Sequence, residues 1–377
     1  MTAGVAIPIS EGQDFYVPYF EVRLRGGRAL GADVVRDITQ VSYQDDIGSI
    51  DSFEITINNW DADTRDFKYV DTDLFDPGKE LELWLGYRGG RQGLQRMITG
   101  EITSLRPTFP ASGQPTLAIS GLNLLHRFRS KQRSAAYENR TDSEIARDIA
   151  GQLDVPLRTD PAAEATEERF EYLFQDNEYD ILFLLGRARR IGYDLFVEEG
   201  DEPGSHRLYF GPSTRMERPT YGLDYGRSLV QFQPNLSTAN QVGKVTVKGW
   251  DATKKEPITY TATRSELATR GIGQGSGSQA VENAVQSREE VIADRPVHTP
   301  EEARTLAVQT LERIAKELVT GTAAVVGLPD LRAGSVVHLG GLGERFSGRY
   351  FVTTTTHAIG DSGYSTQFGC RREEVEG

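Results

Sequence analysis

Gly271-Ile-Gly-Gln-Gly-Ser-Gly277 is the run whose residue types come nearest to a chemical motif. Glycines at that density let a backbone wrap a phosphate, but such a loop also needs a strand before it, a helix after it and usually a lysine at the phosphates. Thr261–Ala268 lacks the alternation of a buried strand and no Gly-Lys-Ser/Thr follows, so the run is expected to be a flexible loop. The five histidines are His126, His206, His298, His338 and His357. None has a second histidine at the short helical spacing that metal sites recruit, and no His-Glu-x-x-His occurs. No Gly-x-Ser-x-Gly elbow is followed by Asp and His in a usable order. Two carboxylates such as Glu101 and Asp180 have the chemistry of a glycosidase pair, but 55 acidic residues give no reason to single out two. Asp45-Asp46 and Asp71-Thr-Asp73 lack the glycine and terminal glutamate of a calcium loop and read as solvated turns. The sequence therefore predicts no catalytic residue, no metal ligand and no cofactor.

Composition points the same way. The chain has 377 residues, 42 basic against 55 acidic, for a net charge of −13. That balance argues against binding a nucleic-acid backbone, which wants a basic face. Apolar residues make up 38 %, enough for packed cores in two or three domains of roughly 150 residues. The single cysteine, Cys370, excludes an intrachain disulfide and a thiolate cluster and fits a reducing compartment. The start, MTAGVAIPISEGQDF, has neither a basic segment nor a long apolar one, and no run has the length of a membrane span. Folding and assembly in the cytoplasm, without direct membrane insertion, are expected.

The elements that would position any function are mostly strands. Phe53, Ile55 and Ile57 alternate with polar neighbours, as do Leu81, Leu83 and Leu85, the mark of a strand with one buried face. Further strands are expected at 19–24, 39–43, 98–105 and 116–120, with turns at Gly26-Gly27, Asp76-Pro77-Gly78, Gly89-Gly90 and Ser112-Gly113. The character changes near residue 130. Thr141-Asp-Ser-Glu144 is a capping box for a helix with Ile145, Ile149 and Leu153 inward. A second helix is expected from Asp176-Asn177, striped by Ile181, Leu184, Leu185, Ala188 and Ile191 and closed by Gly192. A hairpin at 193–198 and 207–210 follows. Strands around Val245 and Ile258 come next, then a helix opened by Thr299-Pro300-Glu301-Glu302. Four last strands are expected at 323–327, 335–339, 348–357 and 364–371.

A loose repeat joins the two β-rich ends. Gly78 precedes one strand, Gly100 lies in the next, Ser112-Gly113 turns into a third, and that strand ends near Arg127. Gly334, Gly348, Ser362-Gly363 and Arg371 fall in the same order near the C-terminus. The expected fold is mainly β (α+β). A first β-barrel is expected at 1–128, an inserted α/β domain at 129–219, and a second, related barrel at 220–377 with a loop and helix insertion at about 265–320.

Phe170–Phe210, FEYLFQDNEYDILFLLGRARRIGYDLFVEEGDEPGSHRLYF, resembles the phage late control D family, which includes hub proteins of contractile tails and the N-terminal part of type VI secretion spike (VgrG) proteins. Gln175, Asn177, Asp180, Phe183, Leu184, Gly192 and Tyr193 stand at the family's places, with Tyr179 where the family often has serine. Gly327–Arg371 resembles the family's close, with Gly334, Gly348, Tyr350, His357 and Gly363 at matching positions. Val41-Ser-Tyr-Gln-Asp45 before Asp51-Ser-Phe-Glu-Ile resembles its beginning.

The resemblance implies two similar tube-type barrels per chain in a homotrimer. Three copies would present six quasi-equivalent units to a hexameric inner tube and a threefold face to a trimeric spike. The implied role is the structural, non-enzymatic baseplate hub of a contractile injection system, whether phage tail, tailocin or extracellular particle. The implied partners are a second and third copy of the chain, the inner tube protein, other baseplate proteins and, because no repeat array follows Gly377, a separate spike protein. A tail-tip hub of a non-contractile tail, a cell-wall hydrolase and a carbohydrate-binding β module are the competing readings.

Overall fold

A computed structural model describes residues 7–8, 17–24, 27–89, 93–129, 131–152, 155–199, 206–212, 221–251, 254–267, 283–294 and 297–372. The Gly271–Gly277 run and Leu153 lie outside them.

The first β-rich stretch contributes β1 (Pro18–Leu24), β2 (Ile38–Asp46), β3 (Ser52–Asn58), β4 (Glu80–Tyr87), β5 (Leu94–Thr108) and β6 (Thr116–Asn123). The middle holds β7 (Gln132–Arg140), α1 (Asp142–Gln152), β8 (Leu157–Thr159), β9 (Phe170–Tyr179), α2 (Asp180–Ile191), β10 (Tyr193–Glu199) and β11 (His206–Pro212). The last part holds β12 (Tyr221–Asp224), β13 (Leu229–Leu236), β14 (Lys244–Asp251), β15 (Glu256–Thr263) and β16 (Glu289–Ile292). It ends with α3 (Pro300–Lys316), β17 (Val319–Val326), β18 (Val336–Gly340), β19 (Gly348–Gly360) and β20 (Gly363–Arg372).

The mainly β class stands, built around one large and largely antiparallel sheet. Its first half runs β2-β3-β6-β5-β4-β1 and its second β13-β17-β20-β19-β18-β12. The leading five strands of each half have the same order, the same chain sequence and the same antiparallel sense. Three of their irregularities coincide as well, although the shift at Met97 between β4 and β5 has no counterpart between β18 and β19. Thr39 bulges out of β2 against β3 as Val230 does from β13 against β17. Thr103 bulges from β5 against β6 as Thr353 does from β19 against β20. Gly78, at φ 90°, donates its N–H to Ile102 O at 2.8 Å; Gly334, at φ 87°, donates to Val352 O at 2.8 Å. A bulge breaks the ladder at one residue and re-aims the strand, so three matching irregularities fix a residue-by-residue equivalence. Val41 answers to Phe232, Asp45 to Leu236, Asp76 to Arg332, Leu105 to Thr355 and Phe109 to Ile359.

The two halves are hydrogen-bonded to each other. The C-terminal part of β19 pairs antiparallel with β2, from Thr354 opposite Asp46 to Ile359 opposite Val41. The sheet's inward faces form two apolar clusters, one around Ile55, Leu83 and Ile119 and one around Val325, Tyr350 and Phe368.

Between the halves, α1 and α2 pack with β7, β10 and β11 around Ile145, Leu184, Leu195 and Phe210. The capping box of α1 forms as expected: Thr141 Oγ1 accepts from Glu144 N at 3.3 Å, and Thr141 N donates to Glu144 at 3.2 Å. The second helix begins at Asp180, not at Asp176-Asn177. Asn177 takes φ 43°, outside the helical region, and residues up to Tyr179 pair with β7. Between β13 and β17 the chain makes a further unit in which β15-β14-β16 form a small sheet covered by α3. The strands around Val245 and Ile258 thus belong to this insertion and not to the large sheet.

Candidate functional site

Where β19 meets β2, side chains from six segments enclose a buried polar cluster. Asp45 follows Val41 and Tyr43 on the inward face of β2, and all three are buried. Arg332, on the loop before β18, donates through Nε to Asp45 Oδ2 at 2.8 Å and through Nη2 to Tyr43 and to Met97 O, the latter at 2.9 Å. Ala333 N reaches the same carboxylate at 3.1 and 3.2 Å, and Thr355 of β19 donates to it. Asp51 lies beside this pair and accepts from Asn123 Nδ2 at 2.7 Å and from Asp46 N at 3.3 Å. Burial first, and the Asp45 charge second, push the Asp51 carboxyl up to about 8. His357 completes the cluster at 0 % exposure; its Nε2 lies 3.0 Å from Leu331 O and its Nδ1 lies 3.0 Å from Tyr364 Oη and 3.1 Å from Thr366 Oγ1. Burial pulls its imidazole down to about 4. Asp45 is therefore no solvated turn residue, and the reading of Asp45-Asp46 is corrected at that position. Every member hydrogen-bonds another member or the backbone, so the arrangement does the work of a structural clamp between the halves. Among the described residues no group of three or more His, Cys, Asp or Glu is placed to hold a metal ion.

The opposite, solvent-facing side of the sheet crosses the same joint. It carries Gln40, Ser42 and Gln44 of β2, Thr56 of β3, Ser104 of β5 and Ser120 of β6. The second half continues it with Gln231 and Gln233 of β13, Thr322 of β17, Thr354 and Thr356 of β19 and Gln367 of β20. A shallow concavity is lined by Gln231, Gln233, Thr322, Thr354, Thr356 and Gln367. Glu54 and Arg106 bring charge to this face but pair with each other, and Ser120 adds a bond to Glu54 at 3.1 Å. Around this concavity the face is polar; farther out the same side carries Asp46 of β2, Arg349 of β19 and Arg371 of β20.

The residues singled out by sequence fall into two groups in different cores. Gln175 is fully buried; its Nε2 donates to Glu178 O at 3.0 Å and Asp180 Oδ1 at 2.8 Å, and it accepts from Tyr137 at 2.9 Å. Asn177 turns the chain and donates its N–H to Ser134 Oγ at 3.1 Å. Asp180 opens α2 and accepts from Arg133 at 2.9 Å, while Leu184 is buried below it. Gly192 closes α2 at φ 73°, and Tyr193 sets its ring edge-on to Phe210 at 5.4 Å. The second group lies in the large sheet. Gly334 turns the chain ahead of β18 at φ 87°, Gly348 takes φ 144° at the start of β19, and Gly363 turns β19 into β20 at φ 94°. Tyr350 is buried and donates to Phe346 O at 2.8 Å. Of the whole set only His357 belongs to the buried joint. Of its neighbours in the joint, Arg332 and Asn123 were not singled out by sequence, and Asp45 and Asp51 were named only as part of a solvated turn or of the family-like beginning. The signal for Asp45 was its parity with Val41 and Tyr43, which places it inward.

The family model described as the Alg8 N-terminal domain matches residues 24–361. The chain belongs to this family. The match runs from the end of β1 into the turn after β19, so the Alg8 N-terminal domain family takes in both insertions and the large sheet except β20 and most of β1. A search of curated proteins finds no match. Among solved structures, the 43 kDa tail protein of prophage MuSo2 from Shewanella oneidensis is similar over 95 % of this chain and 100 % of its own, with 14 % identity and a TM-score of 0.70. A tail protein from Neisseria meningitidis MC58 is similar over 94 % and 97 %, with 15 % identity and a TM-score of 0.67. The E. coli c3393 protein, described as a type VI secretion component with structural similarity to two phage tail proteins, is similar over 94 % and 79 %, with 11 % identity and a TM-score of 0.57. The fold of this family member is thus that of phage-tail and type VI secretion proteins. Among the described residues no helix is long and apolar enough to cross a membrane.

Proposed function

We propose that this chain is the non-enzymatic baseplate hub of a contractile injection system, related to the late control D proteins, that joins a trimeric spike to a hexameric inner tube. The observation that carries the reading is the duplication within the large sheet. Two halves of one order and one register, with two bulges in common, let three chains offer six equivalent units to a sixfold tube while the insertions keep a threefold pattern for the spike. In this reading the first unit spans 1–128 and the α/β insertion 129–219. The second unit spans 220–377, with an insertion that takes in everything between β13 and β17. The part of this face rich in Gln, Ser and Thr lines the channel, where it offers passing cargo little fixed charge to bind. The finished protein is a component of a tail or injection particle, and a sheath gene beside its own is expected for a contractile one.

Mass photometry of the full chain mixed with the spike protein encoded beside it tests the proposal. A complex of three hub chains on one spike trimer is expected; chains that stay monomeric and never bind the spike would sink it.

A further inference from the structure

The joint between β19 and β2 has an unfilled counterpart. By the equivalence of the halves, β5 answers to β19 and β13 to β2. Yet among the described residues β13 beyond the bulge at Val230 pairs only with β17, and β5 beyond the bulge at Thr103 pairs only with β6. One chain therefore carries both sides of the same joint, unused, on two open sheet edges.

The side chains at those edges are the ones a second joint would need. Six inward residues meet in the internal joint: Val41, Tyr43 and Asp45 opposite Ile359, His357 and Thr355. All six are buried. Their counterparts are Phe232, Pro234 and Leu236 on β13 and Phe109, Pro107 and Leu105 on or just after β5. None of these is buried, and Phe109 is 58 % exposed. The chemistry has changed on both edges together. Asp45 bonded to Thr355 becomes Leu236 and Leu105, so a polar pair is replaced by an apolar pair and not by a mismatch. Arg332, which neutralises Asp45, is answered by Asp76, so the cation is gone along with the carboxylate it served. Val41 opposite Ile359 becomes Phe232 and Phe109, a larger apolar pair.

We propose that the open edge of β5 pairs antiparallel with the open edge of β13 of a second copy of this chain, in the register of the internal joint, with Leu105 opposite Leu236 and Phe109 opposite Phe232. Pro107 then faces Pro234. Neither has an N–H to give, so the ladder is broken at that point and the flanking apolar pairs hold the contact. The same two prolines keep either edge from recruiting an unrelated strand. The two edges differ, so the contact is head-to-tail, and repetition closes a ring. This deepens the hub reading, on which the ring size of three rests.

Cysteine pairing tests the register. Full-length Leu105→Cys and Leu236→Cys chains are mixed and oxidised mildly. Opposed strand residues come within disulfide reach, and Cys370 is buried with its thiol pushed up to about 12, so it stays out of the reaction. A disulfide-linked dimer is expected on a non-reducing gel, and the double variant is expected to give covalently closed rings. A mixture of Leu105→Cys with Val230→Cys, about 20 Å along the strand, is expected to give only background linkage. Equal linkage in both mixtures, or none in either, overturns the proposed register. Chains that trimerise on the spike without in-register linkage refute this interface and leave the hub reading standing. Linkage in chains that never bind the spike does the reverse.

Discussion

Two buried titratable groups in the joint work against each other. The Asp51 carboxyl, raised to about 8 by burial and the Asp45 charge, has a folded pKa above its unfolded one. Its contribution to stability is full below the ordinary carboxylate range and is lost as pH rises through about 8. His357, pulled down to about 4 by burial, has a folded pKa below its unfolded one. Its contribution is full above about 6.5 and is lost as pH falls through about 4. Between about pH 4 and 6.5 the slopes oppose; above that range only Asp51 acts. The melting temperature is therefore expected to fall between about pH 6.5 and 8, and Asp51→Asn is expected to remove most of that fall in a differential scanning fluorimetry series. The ion pair gives a larger effect. Arg332→Met leaves Asp45 buried without its cation and is expected to cost about 3–5 kcal/mol in urea unfolding, whereas adding Asp45→Asn recovers much of it. As a network it was not legible in the sequence, although His357, Asp45 and Asp51 lie in the family-like stretches, because Arg332 and Asp45 are separated by 287 positions. Only the fold brings them together.

At the scale of elements, local chemistry was the legible part. Both capping boxes form; at α3 the Thr299 side chain accepts from Glu302 N at 3.1 Å and Glu302 reaches back to Thr299 N. Thr299→Ala is expected to cost about 1 kcal/mol. Gly192 is more sensitive. It ends α2 in the left-handed region, and a Cβ there would sit 2.6 Å from Gln309 Oε1 on α3. Gly192→Ala combines the backbone penalty of about 1–2 kcal/mol with displacement of that side chain, so a loss above 1 kcal/mol is expected in the same urea assay. The strands that escaped sequence reading are those whose partners are distant or whose faces are wet. Gln132–Arg140 is mostly polar, Phe170–Tyr179 exposes Tyr172 and Phe174, and Leu229–Leu236 contains Pro234 and a bulge. Alternation is a signal only where one face is buried. β13 was missed for the reason that now makes it of interest: its outer edge is unfinished.

At the scale of the molecule, the repeat was visible in sequence only as an order of glycines and turns, because the two halves agree in ladder geometry far more than in side chains. Gln40 and Gln231 coincide, but Asp45 and Leu236, or Asp76 and Arg332, do not. What the halves share besides register is the character of the solvent face, Gln, Ser and Thr in both. If that face served only solubility, adding charge to it would be harmless. Thr322 and Gln367 are both exposed on this face, so lysine at both lies within the tolerance of surface positions, about ±0.5 kcal/mol. In a ring of three chains the double variant Thr322→Lys/Gln367→Lys places six added cations around the proposed channel. Particles are then expected to assemble normally by electron microscopy but to lose delivery of their contents, measured as infectivity or target-cell killing. Unchanged delivery would move the channel to another face of the sheet, and failed assembly would mean that the tube or spike docks on this one.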